Sequence, residues 1–262
     1  MRAVAAALRD LGFTHGAIVD RLGIADHRQN HTPRLARRLG ELAAARVEAP
    51  LRDGLDALVQ VLVLNSPVGI DAFRDHVGPT LPGALEEMGL ARVEAGHVTA
   101  RLTLTEWNGL LIVSDTMWQH RDARGVFGAG DIPTDAVLNP IFDSYAFAAT
   151  LPARPAATCL DLCTGSGVVA LHASRTHREV LGVDIAKRSV AFARFNAALN
   201  GIRNATFVEG DLFAGIDGPF DTLAANPPYM PTRTPPPGAS FWAGGEDGDA
   251  LTTAILRGLP TT

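Results

Sequence analysis

Residues 158–167 have the sequence TCLDLCTGSG, and the apolar run VVAL follows at residues 168–171. A short apolar run that ends in glycines and continues into helical spacing predicts a strand, a tight turn and a helix. Such a turn brings backbone N–H groups and the positive end of the helix to the carboxyl edge of a parallel sheet. We therefore expect a ligand site here, of a kind that NAD-binding sheets share.

Three more apolar runs follow, and each ends in polar residues. Their alternation with helical segments predicts an α/β fold with a parallel sheet. Because the carboxyl ends of parallel strands meet at one edge, the polar residues should lie near the glycine turn. The runs are Val180–Val183 before Asp184, Ala205–Val208 before Glu209-Gly210-Asp211, and Phe220–Ala225 before Asn226-Pro227-Pro228-Tyr229.

Two acids at this edge suit a nucleoside. Asp184 at the end of the second strand is placed to accept hydrogen bonds from ribose hydroxyls, which fits both NAD and S-adenosylmethionine. An acidic residue after the third strand, in Glu209-Gly210-Asp211, can accept from an adenine amino group. The acids therefore leave these two ligands as alternatives.

The tetrapeptide from Asn226 to Tyr229 distinguishes the two ligands. Considered alone it is a proline-rich loop, but two prolines fix φ and remove backbone donors, which leaves carbonyl acceptors. The Asn226 amide oxygen and the Pro227 carbonyl can accept both hydrogens of an NH2 group, and Tyr229 offers an aromatic face to a planar acceptor. Positioning and charge dispersal then supply most of the rate. We predict methyl transfer to a planar nitrogen with Asn226, Pro227 and Tyr229 as the catalytic residues.

Four segments in this order carry a family resemblance: DLCTGSGVVAL, VLGVDIAKRSVAFARFNAALNG, VEGDLF and NPPY. They resemble the class I S-adenosylmethionine-dependent methyltransferases, in the small-domain group that contains HemK-type release-factor glutamine methyltransferases and exocyclic-amine rRNA guanine methyltransferases. The likeness covers about residues 130–258. It implies S-adenosyl-L-methionine as the cofactor, held by Asp161, Cys163, Thr164, Gly165, Gly167, Asp184, Ile185, Asp211, Leu212 and Asn226.

The resemblance also implies roles. Asp161, Gly165 and Gly167 would line the methionine end, Asp184 would hold the ribose, and Asp211 with Leu212 would contact adenine. The segment after the NPPY sequence resembles the glycine-bearing loop of this group, where either Phe241 or Trp242 would cover the acceptor or belong to the core.

Two departures from the group stand out. The group has glycine where Cys163 stands, and we expect the cysteine to be accommodated by a negative φ without loss of cofactor binding. The group's sheet has seven strands, of which four are accounted for before the chain ends at Thr262. We therefore expect a Rossmann-like sheet truncated after its fourth strand.

The preceding residues predict helices and a hairpin. We assign residues 1–118 to a helical, winged-helix-like domain, 119–155 to a connector that covers the cofactor, and 156–262 to the incomplete methyltransferase domain. An Asn108-Gly109 turn joins the two hairpin strands. The predicted elements are an N-terminal amphipathic helix, helices at about 14–22, 32–47, 51–64, 66–76, 80–88 and 141–149, and strands at 98–104 and 110–113.

Composition indicates what class of protein this is: globular, and neither membrane-spanning nor secreted. The 262 residues are 47% hydrophobic and 19% charged, as in a globular protein, and no apolar run approaches the roughly 20 residues of a membrane helix. The N-terminus is interrupted by Arg9 and Asp10, which argues against a signal peptide. Cys159 and Cys163 form no metal-ligand pattern, so we predict no metal and a reducing, cytoplasmic location.

Several functions and partners stay open. The net charge of −5 disfavours rRNA or DNA methylation, although Arg28, Arg34, Arg37, Arg38 and Arg46 cluster in the sequence. A protein glutamine amide is the first candidate acceptor, and a small metabolite methylated on nitrogen or oxygen is the second. A non-catalytic scaffold and an NAD-dependent oxidoreductase are further alternatives. The oligomeric state is left open.

Overall fold

A computed structural model describes residues 1–24, 41, 50–115, 135–140, 142–152, 158–234 and 243–259. The chain divides into two compact units, Met1–Phe127 with Ala198–Gly201, and Gly128–Ala197 with Ile202–Thr262. Several predicted features lie outside the described residues: the helix at 32–47 except residue 41, the five clustered arginines, Phe241, Trp242 and the boundary near residue 118. The predicted domain limits therefore stay predictions.

Two helices open the first unit as predicted. Helix α1 (Arg2–Asp10) buries Val4, Ala5 and Leu8 on one face. Helix α2 (His15–Leu22) begins where the Thr14 side chain accepts a hydrogen bond from the Ala17 N–H, and it ends at the left-handed Gly23.

The helix predicted at 51–64 begins later and changes its winding. Helix α3 (Gly54–Leu58) starts after Asp53, whose side chain accepts a hydrogen bond from the Asp56 N–H. The chain continues as a π-helix over Val59–Val63, and all residues of both segments are buried. The cap at Asp53 therefore sets the start that apolar spacing alone placed three residues too early.

Two short helices and two small antiparallel sheets complete the described part of this unit. The predicted strand at 98–104 is wrong as one strand: it divides at Arg101 and Leu102, whose N–H groups both donate to the Leu90 carbonyl. The winged-helix likeness stays a prediction. The elements are β1 (Val68–Gly69), α4 (Ile70–Val77), α5 (Leu81–Glu87), β2 (Ala91–Glu94), β3 (His97–Ala100), β4 (Thr103–Trp107) and β5 (Leu110–Ser114), with sheet orders β1-β3-β2 and β4-β5.

The second unit contains the predicted parallel sheet. Its four strands run in the order β8-β7-β6-β9, and every pairing is parallel. This is a Rossmann-like arrangement: β7 and β8 follow on one side of β6, and the chain then returns to place β9 on the other side. Such sheets bind ligands at this point of reversal, between β6 and β9. The elements are α6 (Phe142–Ala149), β6 (Thr158–Leu162), α7 (Val168–Ala173), β7 (Glu179–Asp184), α8 (Lys187–Asn200), β8 (Ala205–Glu209), β9 (Thr222–Ala225) and α9 (Ala250–Arg257).

Close packing fixes the sheet beneath this edge. Leu160, Leu162, Val183 and Ile255 form a buried cluster that joins β6, β7 and α9. Apolar burial of this kind supplies the main driving force for holding the strands in place. Within the described part of the chain, no helix has the length and apolar content that crossing a membrane requires.

Candidate functional site at the carboxyl edge of the parallel sheet

The glycine turn between β6 and α7 is held by backbone contacts. The Thr164 N–H donates to the Val183 carbonyl at 3.0 Å, and the Gly167 N–H donates to the Thr164 carbonyl at 2.8 Å. Gly167 has φ +83°, and a Cβ there would lie 2.9 Å from the Cβ of Ala193. Glycine is thus required at 167 both by the backbone angle and by the close approach of α8.

Asp161 braces the same turn from inside the sheet. Its Oδ2 accepts hydrogen bonds from the Thr164 hydroxyl at 2.6 Å and from the Ala170 N–H at 3.1 Å. Burial raises the pKa of Asp161 to about 7, and these two bonds offset only part of that effect. The sequence resemblance assigns this residue to the methionine end of the cofactor; the structure adds its role in shaping the turn.

The raised pKa of Asp161 predicts a pH-dependent stability. Because the pKa is higher in the folded protein than its ordinary value of 3.8, the contribution of this carboxyl is complete below about pH 4 and is lost as the pH rises through about 7. The difference in melting temperature between wild type and Asp161→Asn, measured by calorimetry, should therefore fall from pH 4.5 to pH 7.5 and be flat above that. A difference that is constant over this range would contradict a raised pKa. The control is Asp217→Asn, which replaces an exposed carboxylate.

Asp184 connects the end of β7 to the glycine turn. Its Oδ2 accepts from the Gly165 N–H at 2.8 Å, and its Oδ1 accepts from the Ala186 N–H at 2.9 Å. Burial raises the pKa of this carboxyl, while the two backbone donors favour its charged form. The next residue, Ile185, is 70% exposed, so a large apolar side chain faces solvent beside a half-buried acid.

Cys163 corrects one prediction about the turn. A negative φ was predicted at this position, but Cys163 has φ +57°, in the left-handed region that favours glycine. Burial and the nearby Asp184, Asp161 and Asp211 raise the pKa of its thiol to about 12, so it stays protonated. Cys163 is half-buried beyond the end of β6, whereas Cys159 is fully buried within that strand.

Replacing Cys163 by glycine should stabilise the protein. The change removes the steric cost of a Cβ at positive φ, and after the extra entropy of glycine in the unfolded chain a gain of up to about 1 kcal/mol remains. Cys163→Ala keeps the Cβ and should show no such gain. The free energies of unfolding from urea titration test this, and an equal gain in both variants would contradict the backbone explanation.

The predicted acceptor residues follow β9 at the same edge. Tyr229 is 50% exposed, and its hydroxyl donates to Asp143 Oδ2 at 2.8 Å. Asn226 Nδ2 donates to the Ser144 hydroxyl at 3.4 Å. Both partners lie in the first turn of α6. Burial, then the bond to Asp143 and the charge of that carboxyl, raise the pKa of Tyr229 to about 12.

A second glycine segment supports the backbone of this loop. The Gly244 N–H donates to the Met230 carbonyl at 2.9 Å, and the Thr232 N–H donates to the Gly245 carbonyl at 2.7 Å. A Cβ on Gly248, where φ is +84°, would lie 2.5 Å from the Tyr229 carbonyl oxygen. The segment from 243 to 249 thus packs directly against the loop from Asn226.

The edge fits the cofactor that the resemblance implies. A Cβ added to Gly165 would meet no atom within 4 Å, so the backbone of the turn borders open space. The half-buried carboxylate of Asp184 and the exposed side chain of Ile185 adjoin that turn, which suits a ribose and an apolar ring. Asp211 is exposed and Leu212 half-buried after β8. Among the described residues, no group of three or more His, Cys, Asp or Glu side chains is placed to hold a metal ion.

Sequence reasoning missed several residues of this edge. Asp143 and Ser144 carry no local signal, because they meet the loop only through contacts across more than 80 residues of chain. Asn196 was also missed: it is fully buried in α8, and its side chain donates to the Ser166 carbonyl at 2.9 Å. A polar residue on the buried face of a predicted helix was the available signal for Asn196.

Comparisons with known proteins find methyltransferases. The family described as "Methyltransferase small domain" matches residues 123–234. The chain is 31% identical over 203 residues to a release factor glutamine methyltransferase of Deinococcus radiodurans, which covers 76% of this chain and 66% of that protein. It is 47% identical over 197 residues to the enzyme of the same name from Rhodospirillum rubrum. That match covers 73% of this chain and 55% of that protein.

A third relative is matched over more of its own length. The chain is 32% identical over 221 residues to a ribosomal protein L11 methyltransferase of Rhodopseudomonas palustris, which covers 74% of this chain and 70% of that protein. The chain spans less than two thirds of the two release-factor enzymes.

Proposed function

Because the chain belongs to the class I S-adenosylmethionine-dependent methyltransferases, in the group that contains the release factor glutamine methyltransferases, we propose that it methylates the side-chain amide nitrogen of a protein glutamine. The observation that carries this proposal is the position of Asn226 directly after β9. In the sheet, Ala225 pairs with Leu162. The loop that begins at Asn226, here called the acceptor loop, and the glycine turn therefore leave neighbouring strands at the same edge.

We assign S-adenosyl-L-methionine to the glycine turn and the acids beside it. Gly165, Gly167 and Asp161 would hold its methionine end, Asp184 its ribose, and Asp211 with Leu212 its adenine, next to the exposed Ile185. When bound, this cofactor supplies an activated methyl group on a sulfonium. The carboxylate of Asp184 has lone pairs left beyond its two backbone bonds, so it can accept from ribose hydroxyls.

The acceptor amide would be bound by the loop after β9. Asn226 Oδ1 and the Pro227 carbonyl accept its two N–H groups, and the exposed face of Tyr229 stacks on its plane. These contacts aim the nitrogen lone pair and disperse the positive charge that develops on nitrogen during methyl transfer. Formation of the new N–C bond would break the bond between the methyl carbon and the sulfonium, which leaves S-adenosylhomocysteine, and the nitrogen would lose one proton to water. We place the reaction in the cytoplasm.

The relatives' names provide candidate acceptors for the test. Besides release factors, one relative is named ribosomal protein uL3 glutamine methyltransferase and another ribosomal protein L11 methyltransferase. The full chain should be incubated with methyl-labelled S-adenosylmethionine and purified release factor, uL3 or L11, followed by peptide mass spectrometry. We expect label on a glutamine side chain. Label on lysine, on an N-terminal amine or on added ribosomal RNA instead would overturn the proposed acceptor.

A further inference from the structure

We propose that Asp143 and Ser144, in the first turn of α6, are positioning residues that orient the two acceptor-binding side chains of the methyltransferase site. Asp143 would set the ring of Tyr229, and Ser144 would set the amide of Asn226. This inference rests on the proposed function for its meaning in catalysis, but its structural part can be tested without any acceptor.

Asp143 is held at both of its carboxylate oxygens. Oδ2 accepts from the Tyr229 hydroxyl at 2.8 Å, while Oδ1 accepts from the Ser144 N–H at 2.7 Å. A carboxylate fixed in this way offers one direction to the phenol. Tyr229 is half-exposed and would otherwise be free to change rotamer, so this bond restricts a ring whose face must stay available to the acceptor.

Ser144 determines which way the amide of Asn226 points. The Ser144 hydroxyl donates to Asp143 Oδ1 at 3.4 Å, which leaves its lone pairs to accept from Asn226 Nδ2, also at 3.4 Å. Because the NH2 end of the amide is used in this contact, Oδ1 is the end left for the acceptor. The direction of donation thus runs from Asn226 through Ser144 to Asp143, and Tyr229 donates to the same carboxylate.

The backbone of the loop is fixed separately from these side chains. The bonds of Gly244 to Met230 and of Thr232 to Gly245 hold the main chain after Tyr229. Removal of the Asp143 side chain should therefore release the ring of Tyr229 and leave the backbone of the loop in place. This separation distinguishes a positioning role from a general structural one.

The two tyrosines of the sequence make the structural part measurable. With tyrosine rings labelled by carbon-13, one NMR signal belongs to Tyr229 and the other to Tyr145, which is buried in α6 and reports whether that helix still packs. In Asp143→Ala we expect the Tyr229 signal to move and the Tyr145 signal to stay close to its wild-type position. Asp217→Ala, which removes an exposed carboxylate elsewhere in the unit, should move neither signal.

Kinetics test the catalytic part. Ser144→Ala should lower kcat/KM for the protein acceptor about tenfold, the effect expected for loss of one orienting hydrogen bond. Ser144→Thr retains the hydroxyl and should recover most of this loss. The Kd of S-adenosylhomocysteine, measured by calorimetry, should stay within about twofold of wild type in both variants, because the hydrogen bonds of the Ser144 hydroxyl go to Asp143 and Asn226 and not to the glycine turn or Asp184.

The outcomes separate the two proposals. An unmoved Tyr229 signal in folded Asp143→Ala, or equal acceptor kinetics in Ser144→Ala and wild type, overturns the positioning role. If wild type binds the cofactor and methylates no protein glutamine, the proposed function fails. In that case the ring signal of Tyr229 still decides whether Asp143 orients it.

Discussion

Replacement of Asn226 by alanine is expected to lower kcat for the protein acceptor by about 100- to 1000-fold, while the Kd of S-adenosylhomocysteine changes by less than about threefold. The physical reason is that Asn226 Oδ1 would bind an acceptor N–H whose hydrogen becomes more positive as the nitrogen is attacked. Loss of that contact costs most in the transition state. Initial-rate measurements with the labelled cofactor, combined with calorimetry, separate the two quantities.

Asn226→Asp provides the matched control for this prediction. It keeps an oxygen acceptor of the same size but loses the Nδ2 donor that contacts Ser144. We expect an intermediate loss of kcat, because the acceptor contact remains while its orientation is less fixed. Wild-type turnover in a folded Asn226→Ala protein would show that the acceptor is held in another way.

Replacement of Asp184 by alanine should weaken binding of S-adenosylmethionine and S-adenosylhomocysteine by about 100-fold or more. Hydrogen bonds to a charged group contribute about 1.5–3 kcal/mol each, and two ribose hydroxyls would lose their acceptor. The glycine turn would also lose the bond from the Gly165 N–H at 2.8 Å. Isothermal calorimetry with each ligand measures the change directly.

The opposite end of the same strand supplies the control for Asp184. Glu179→Ala removes an exposed carboxylate at the start of β7 and should leave ligand affinity within about twofold, because carboxylates far from the site act weakly through water and salt. Asp184→Asn keeps one oxygen acceptor without the charge, so its affinity should lie between those of wild type and Asp184→Ala. Unchanged affinity in a folded Asp184→Ala protein would remove Asp184 from the cofactor site.

The first unit shows where local patterns are sufficient and where they fail. Helix α2 begins after Thr14 and ends before Gly23, as predicted, because a cap and a left-handed glycine act within one turn of chain. Alternation through residues 98–104 was interpreted as one strand, yet the chain crosses from one sheet to another at Arg101 and Leu102. Alternation records which side chains are buried, but it does not record which strand is the partner.

At the candidate site, the sequence by itself determined the succession of the strands along the chain, the glycine turn and the residues that follow each strand. It could do so because periodicity fixes the elements and parallel connection brings their carboxyl ends to one edge. Only the tertiary structure decided the positive φ of Cys163, since the closure of the turn sets that angle. It also decided the contacts of Asp143 and Ser144 with the acceptor loop, because those contacts depend on where a distant helix packs.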